Sequence, residues 1–463
     1  MQRVLRIVAI LGLLALVGAA CGGGEKEPTT TGGGTTTGNT TTGGATTGGA
    51  TTGGATTGGA TTGGGPLEEY GESTDADPAL IEKALGPVDP SDEASWNIIL
   101  ASVARVNEEP DQATIDKAME CLNNQECDTG TGGDVVMGYA DGGGDTVNVW
   151  RAVSHMEAIL QALSYPEIGT IVSTEANFDP DPNVASNDIR FLVSRGVNFI
   201  VGYPDQGVAL APAIQEATDA GVPYVSFSAG WVGLPDQQGA LTPGKDYLSV
   251  VGEDLCALGD SFADTLNQNV GSGEVAMLGG TPGNALSLGW QRCATKELDP
   301  GLDLVNPPAD ENSTTGDTSW YDPIIPDVFR GILTPHPDVK GWMYEYSDGM
   351  HTGLSVYKEL GIPVKNLTMA LRTDEQTLFC DWAKRNEPTY HIFYTAGGNF
   401  QSRIGVTAAM MSLKDAPIPA EVVVPHVMRE VTAADCNPDR VNPYVSGTSL
   451  VPDSILQLMF ASN

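Results

Sequence analysis

From Asp134 onward, short apolar runs alternate with longer amphipathic stretches, and the alternation runs through twice. Val135–Tyr139, Thr170–Ser173, Asn198–Gly202 and Pro223–Phe227 read as strands, with helices over Trp150–Leu163, Ser186–Arg195 and Leu210–Ala220 between them. The strand segments are continuous apolar runs, as expected when helices cover both faces of a parallel sheet. The rhythm then restarts. Strands are predicted over Leu248–Val251, Glu274–Leu278, Leu302–Val305, Gly341–Tyr346, Leu367–Leu371 and His391–Tyr394. Helices are predicted over Leu255–Leu266, Leu288–Leu298, Asp327–Leu333, Gly353–Leu360 and Asp374–Ala383. Two successive units of this kind constrain the chain to an α/β fold of two doubly wound parallel-sheet lobes. Ligand chemistry then belongs in the cleft between them, at the carboxyl ends of the strands.

The segment ahead of the lobes has a different character. Arg3 and Arg6 precede an apolar run from Ile7 to Val17, followed by Gly18, Ala19, Ala20 and Cys21. This is the order of a secretory signal, with an apolar run too short to span a bilayer. Cysteine directly after small residues resembles the lipobox of bacterial lipoproteins, except that Gly18 stands where leucine is usual. The resemblance implies removal of residues 1–20, acylation of Cys21 and an extracytoplasmic protein anchored to the membrane. Residues 21–65 are almost wholly Gly, Thr and Ala, with four copies of Thr-Thr-Gly-Gly-Ala between Thr41 and Ala60. Such a composition cannot form a core and reads as a flexible tether, with a typical end-to-end distance on the order of 35–40 Å.

The formal charge of −36 argues against nucleic acid and anionic lipid as partners, since both need a basic footprint. After Cys21 come Cys121, Cys127, Cys256, Cys293, Cys380 and Cys436, an even set that outside the cytoplasm reads as disulfides. Order along the chain favours Cys121–Cys127, Cys256–Cys293 and Cys380–Cys436, although about 15 pairings are formally possible. No metal site is predicted: the cysteines lack zinc spacing, and Asp179, Asp181 and Asn183 open a calcium-loop pattern that fails at Val184 and Arg190. Gly142–Gly144 completes no phosphate-binding signature, and there is no G-x-S-x-G elbow. Neither a cofactor nor an enzymatic activity is predicted.

The segments Leu192-Val-Ser-Arg-Gly-Val-Asn-Phe-Ile-Val-Gly, Pro204-Asp-Gln-Gly-Val-Ala-Leu-Ala-Pro-Ala-Ile and Ala220-Gly-Val-Pro-Tyr-Val-Ser-Phe resemble the first lobe of ribose- and galactose-type periplasmic binding proteins. Val251-Gly-Glu-Asp, Glu274-Val-Ala-Met-Leu-Gly-Gly-Thr-Pro-Gly-Asn, Leu333-Thr-Pro-His-Pro-Asp-Val-Lys-Gly-Trp, Asp348-Gly-Met-His-Thr-Gly-Leu and Ile404-Gly-Val-Thr-Ala-Ala resemble their later parts, in order. The resemblance implies a type I periplasmic-binding-protein fold and a monomer that captures a small solute, usually a sugar. The partner it implies is the permease of an ABC importer. It also implies three crossings between lobes, placed near Gly230–Pro243, Thr395–Asn399 and Asp415–Glu421. The expected domains are a helical extension over 66–133, a first lobe over 134–240 plus 399–420, and a second over 241–398 plus 421–463.

Carried over by position, the resemblance puts the ligand-stacking aromatic at Trp150, flanked by Asn148 and Arg151. It places further ligand residues at Ser228 with nearby Trp231, at Trp290, at Ser347 with Asp348, at Arg372, and at the hinge residue Asn399. Three departures stand out: Ser228 replaces an acid, Trp290 an arginine and Arg372 an acid. They leave room for an acidic, modified or nucleoside-like ligand. Arg372 has two expected partners, an anionic group on the ligand or Asp348. The expected function is capture of a carbohydrate or polyol for import. The alternatives are a sensor that presents its closed form to a membrane kinase or chemoreceptor, and a surface-anchored hydrolase.

Overall fold

The computed structural model describes residues 67–145, 148–438, 440 and 445–461. The leader, Cys21 and the Gly/Thr tract lie outside the described residues. The body opens with helices α1 (Pro78–Leu85), α2 (Glu93–Val103) and α3 (Gln112–Asn123). Each starts at an aspartate, Asp77, Asp92 or Asp111, whose carboxylate accepts a backbone N–H of the first turn. There follow β1 (Glu126–Asp128), β2 (Val135–Asp141), α4 (Val149–Leu163), β3 (Ile168–Glu175), α5 (Pro182–Ser194), β4 (Phe199–Tyr203), α6 (Ala211–Asp219), β5 (Tyr224–Ser226) and β6 (Ser249–Gly252). The second series is α7 (Leu255–Asn269), β7 (Gly273–Met277), α8 (Ala285–Glu297), β8 (Leu302–Leu304), α9 (Ile325–Leu333), β9 (Gly341–Tyr344), α10 (Ser347–Leu360), β10 (Leu367–Leu371), α11 (Gln376–Arg385) and β11 (Tyr390–Tyr394). The chain ends through α12 (Gln401–Ser412), β12 (Glu421–Val423), β13 (Arg429–Glu430) and α13 (Asp453–Met459).

Two sheets result, in the orders β1-β3-β2-β4-β5-β6-β12 and β13-β11-β10-β9-β7-β8. The interior strands run parallel; the edge strands β1 and β13 are antiparallel to β3 and β11. Interior strands are buried along most of their length, as both-face coverage by helices requires. Register lines up the strand ends: Asp141 lies opposite Glu175 and Tyr203, and Leu371 opposite Tyr344 and Tyr394. The two doubly wound lobes of the predicted α/β class are therefore present.

The expected lobe boundaries need correction. β6 and β12 belong to the first sheet, because Val250 and Val251 pair in parallel with β12 and Ser249 and Val250 with β5. The first crossing thus follows Gly252 rather than lying at 230–243, and the third follows Val423 rather than lying at 415–421. The segment 66–133 is no appendage: α2 packs on α12 and β12, α3 packs on α4, and β1 extends the first sheet. The tail also returns to the first lobe, where Glu157 of α4 accepts from Ser449 Oγ (2.9 Å) and Leu450 N (2.7 Å). Glu157 is buried and also meets the buried Arg403 of α12.

The disulfides join Cys121 to Cys127, Cys256 to Cys293 and Cys380 to Cys436, the pairing that chain order favoured. They tie α3 to β1, α7 to α8, and α11 to the tail. No helix among the described residues is long and apolar enough to cross a membrane.

The Cys256–Cys293 bridge closes a loop across a separation of 37 residues. Replacing both cysteines with serine should cost about 4 kcal/mol of unfolding free energy on the chain-entropy account. A guanidinium melt should show this as a lower midpoint; an unchanged midpoint would contradict a stabilising bridge.

Candidate functional site

The carboxyl ends of β2, β4 and β5 in one lobe meet those of β9 and β10 in the other. A small cavity of about 30 Å³ lies between them, lined by Asn148, Trp150, Arg151, Tyr203, Ser228, Leu286, Trp320, Glu345, Tyr346, Arg372 and Thr373. That is room for about two water molecules. The lobes are therefore closed on each other, and a larger occupant requires them to part.

Gly142–Gly144 lets the loop after β2 lie against its surroundings. A Cβ on Gly142 would sit 2.1 Å from Asp205 Oδ2, and one on Gly143 2.9 Å from the Phe178 ring. Beneath this loop Arg151 bridges two buried carboxylates, with Nη1 at 2.8 Å from Asp141 and Nη2 at 2.7 Å from Asp205. Its guanidinium also lies 4.4 Å from the centre of the Tyr203 ring and 5.5 Å from that of Trp320. Burial pushes the Asp205 carboxyl up; Arg151 opposes this, and neighbouring Asp141 adds to it. Arg151 thus fixes the charge of the cavity wall, and its carboxylates are already committed.

Arg372, at the end of β10, faces Glu253 rather than the expected Asp348. Its Nη2 lies 2.9 Å from Glu253 Oε2 and donates to Ser228 Oγ at 2.9 Å, and its Nε donates to Glu253 Oε1 at 3.2 Å. Asp348 is buried elsewhere, and burial together with Asp322 and Glu375 holds its carboxyl well above the usual range. Ser228 and Ala229 adopt left-handed backbone, with φ of 58° and 53°. The turn presses onto β6 so closely that a Cβ on Gly252 would sit 2.2 Å from Ala229 N.

Two helix caps reach across the cleft. Asn148 caps α4, accepting from Arg151 N at 3.1 Å, and donates to the Trp320 carbonyl of the other lobe at 3.1 Å. Asn284 caps α8, accepting from Leu286 N at 2.9 Å, and donates to the Asp205 carbonyl at 2.9 Å. Each amide closes a helix N-terminus and a lobe contact together.

Five of the ten predicted ligand residues line the cavity: Asn148, Trp150, Arg151, Ser228 and Arg372. The others do not. Trp290 is fully buried against Phe262, and its indole N–H donates to Glu345. Ser347 is buried beside Thr373 and Glu375, and Trp231 packs half-buried against two apolar clusters, one of them within the first lobe. Asn399 lies at the hinge, donating to the Trp150 carbonyl at 2.9 Å and to Ser154 Oγ at 3.1 Å. Asp181 caps α5 by accepting from Asn183 N, which accounts for the incomplete calcium pattern. Tyr346, next to the predicted Ser347, also lines the cavity, whereas sequence reasoning missed Tyr203, Leu286, Trp320, Glu345 and Thr373. Tyr203 and Glu345 carried a usable signal, since both stand at the carboxyl end of a predicted strand. Trp320 follows a Ser/Thr/Asp loop with no periodicity.

The model of the periplasmic binding protein domain family matches residues 166–384. No curated protein sequence matches the chain. Among solved structures, an ABC transporter periplasmic solute-binding protein of Actinobacillus succinogenes with bound D-allose is similar at 17% identity and a TM-score of 0.51. That alignment covers 64% of this chain and 97% of the other. A solute-binding protein of Agrobacterium vitis bound with α-D-tagatopyranose aligns at 15% identity and a TM-score of 0.53, covering 68% and 99%. The fructose-binding periplasmic domain of a hybrid two-component system aligns at 17% identity and 0.51, covering 65% and 92%. At these identities the likeness is one of fold.

Glu345 permits a test of the cavity's electrostatics. Burial raises its carboxyl from an ordinary 4.5 to about 7, against the opposing donors Ser287 and Trp290. A group whose pKa rises on folding contributes stability that is complete below its unfolded value and gone above its folded one. Glutamine stays neutral and can accept from Trp290 while donating to Ser287. Between pH 4.5 and pH 7.5 the wild type should therefore lose stability relative to Glu345→Gln, by on the order of 3 kcal/mol, levelling off above pH 7. Urea melts across this range check it; a constant difference would mean an unperturbed carboxyl.

Proposed function

Residues 166–384 match the periplasmic binding protein domain family, in a body of the type I binding-protein fold, and from that premise we propose that the chain captures a carbohydrate or related polyol between its lobes for an ABC importer. The family is one of solute-binding proteins, not enzymes. The observation that carries the reading is the cleft cavity, where Trp150, Tyr203, Trp320 and Tyr346 supply flat apolar surface and Asn148, Ser228, Glu345 and Arg372 supply hydrogen-bonding groups. Sugars ask for this combination: an aromatic face for the ring's C–H side and buried polar groups for the hydroxyls. Neighbours of the same fold are described as bound to D-allose and to tagatopyranose.

In operation, the open lobes admit the solute against Trp150, and closure brings Trp320 over it from the other side. Ligand shifts the equilibrium toward a closed form wider than that of this structure, because only such a form contacts a sugar from both lobes. The permease distinguishes the closed surface from the open one. The protein acts as a monomer outside the cytoplasmic membrane, acylated at Cys21, with residues 22–65 as the tether that lets it reach the permease. A second reading, supported by the neighbour from a two-component system, has the closed form engage a sensor instead.

A thermal-shift panel of sugars, sugar acids, cyclitols and nucleosides on the full chain tests the ligand class. A true ligand at 100 times its Kd should add about 2.7 kcal/mol of stability. Trp320→Ala should then weaken that ligand about tenfold or more, through loss of stacking and buried area. Unchanged affinity would move the site away from this cavity. A hit among acids or nucleosides but not sugars would replace the ligand class, and no hit anywhere would remove the import reading's support.

The anchor is tested separately. Cys21→Ala should release the protein from the membrane fraction into the soluble one, and the wild type should carry a lipid mass on its first mature residue. Equal membrane retention of both would refute acylation at Cys21.

A further inference from the structure

Behind the glycine loop, away from the cavity, three ligating side chains from three elements converge. Asp145 lies in the loop after β2, His155 on α4 and Glu175 at the end of β3, and their ligand atoms all lie within 4.8 Å of one another. His155 Nδ1 is 2.8 Å from Asp145 Oδ2 and 3.9 Å from Glu175 Oε1. Two ligands held at about 2.1 Å from a tetrahedral centre stand about 3.4 Å apart, and these distances straddle that value.

The imidazole is fixed for such a role. It is buried, stacked on Tyr139 with ring centres 4.3 Å apart and planes 7° from parallel, and its Nε2 lies 2.8 Å from Ser173 Oγ. In the tautomer that donates Nε2–H to that hydroxyl, Nδ1 turns its lone pair toward two carboxylates. The contact is repulsive unless a proton or a cation stands between them. The neighbouring cation, Arg151, is engaged with Asp141 and Asp205. Asp145 Oδ1 is buried with no hydrogen-bond partner among the described residues. A further oxygen is close by: Asn177 Oδ1 and Glu175 Oε2 lie 2.5 and 3.3 Å from where a Gly144 Cβ would stand.

We propose that Asp145, His155 and Glu175 form a divalent-cation site in the first lobe, with one imidazole nitrogen and two carboxylates as ligands. That donor set suits Zn²⁺, with Mn²⁺ next, better than Ca²⁺ or Mg²⁺, which take oxygen alone. The ion would join the ends of β2 and β3 to the first turns of α4. It would thereby brace the loop that leads into Asn148 and Trp150.

The test is calorimetric titration of the chelator-stripped full chain with ZnCl₂, with CaCl₂ in parallel. One Zn²⁺ should bind with a micromolar or tighter Kd, and Ca²⁺ at least tenfold more weakly. Glu175→Gln and Asp145→Asn should each weaken Zn²⁺ at least tenfold, with far-UV circular dichroism unchanged. Co²⁺ should give visible absorption that disappears in His155→Gln. The more exposed pairs His336–Glu274 and His391–Glu430 offer competing Zn²⁺ positions, so His336→Ala and His391→Ala serve as controls. Absence of Zn²⁺ heat overturns the proposal. So does binding that survives the cluster variants and falls with the controls.

Discussion

The contact between Arg372 and Glu253 ties the end of β10 to the first crossing, and through the Ser228 hydroxyl Arg372 also reaches the first lobe. One group ends β10 of the second lobe and the other follows β6 of the first, and each side chain is exposed by 3% or less. Charges so deeply placed are tolerable only with close partners, because removing either leaves the other buried and uncompensated. Arg372 therefore holds its two carboxylate contacts and the Ser228 hydroxyl as a set.

The rest of the cleft follows the same rule of satisfaction across the gap. Asn148 and Asn284 each complete a helix N-terminus in one lobe and reach a carbonyl in the other. Arg151 gathers Asp141 and Asp205 beneath the loop, so its charge shapes the wall without being free for an anionic ligand. This bears on the ligand class. The departures from the usual sugar-site residues do not create an open anion hole, since both arginines that line the cavity are already paired with carboxylates. That pairing accords with the neutral, hydroxyl-rich ligand proposed above.

The architecture was legible because parallel strands covered on both faces leave an unbroken apolar signal, as at Phe199–Tyr203 and Leu367–Leu371. The antiparallel edge strands were not. Glu126–Asp128 and Arg429–Glu430 carry polar residues, and pairing with β3 or β11 alone makes them strands. Lobe membership of β6 was hidden for a related reason, since an apolar run does not say which sheet it joins. At the site, the resemblance carried Trp150, Ser228 and Arg372 to positions that line the cavity. Trp290 was misplaced because a helix face, not a strand end, aims it: it turns inward and serves Glu345. Trp320 could not be found, because a loop with left-handed residues at Ser319 and Trp320 places it.

Helix α4 links the cleft to the second crossing and to the tail. Its first turn presents Asn148 and Trp150 to the cleft, and the Trp150 indole N–H donates to the Gly397 carbonyl at 2.7 Å, within the second crossing. Asn399, two residues on, holds the Trp150 carbonyl and Ser154 Oγ. One turn further, Glu157 gathers Arg403 and the backbone of Leu450 and Val451. A single helix face is thus bonded in succession to cleft, hinge and tail. The bonds that orient Trp150 are thus made to residues 397 and 399, which joins the aromatic wall of the cavity directly to the second crossing.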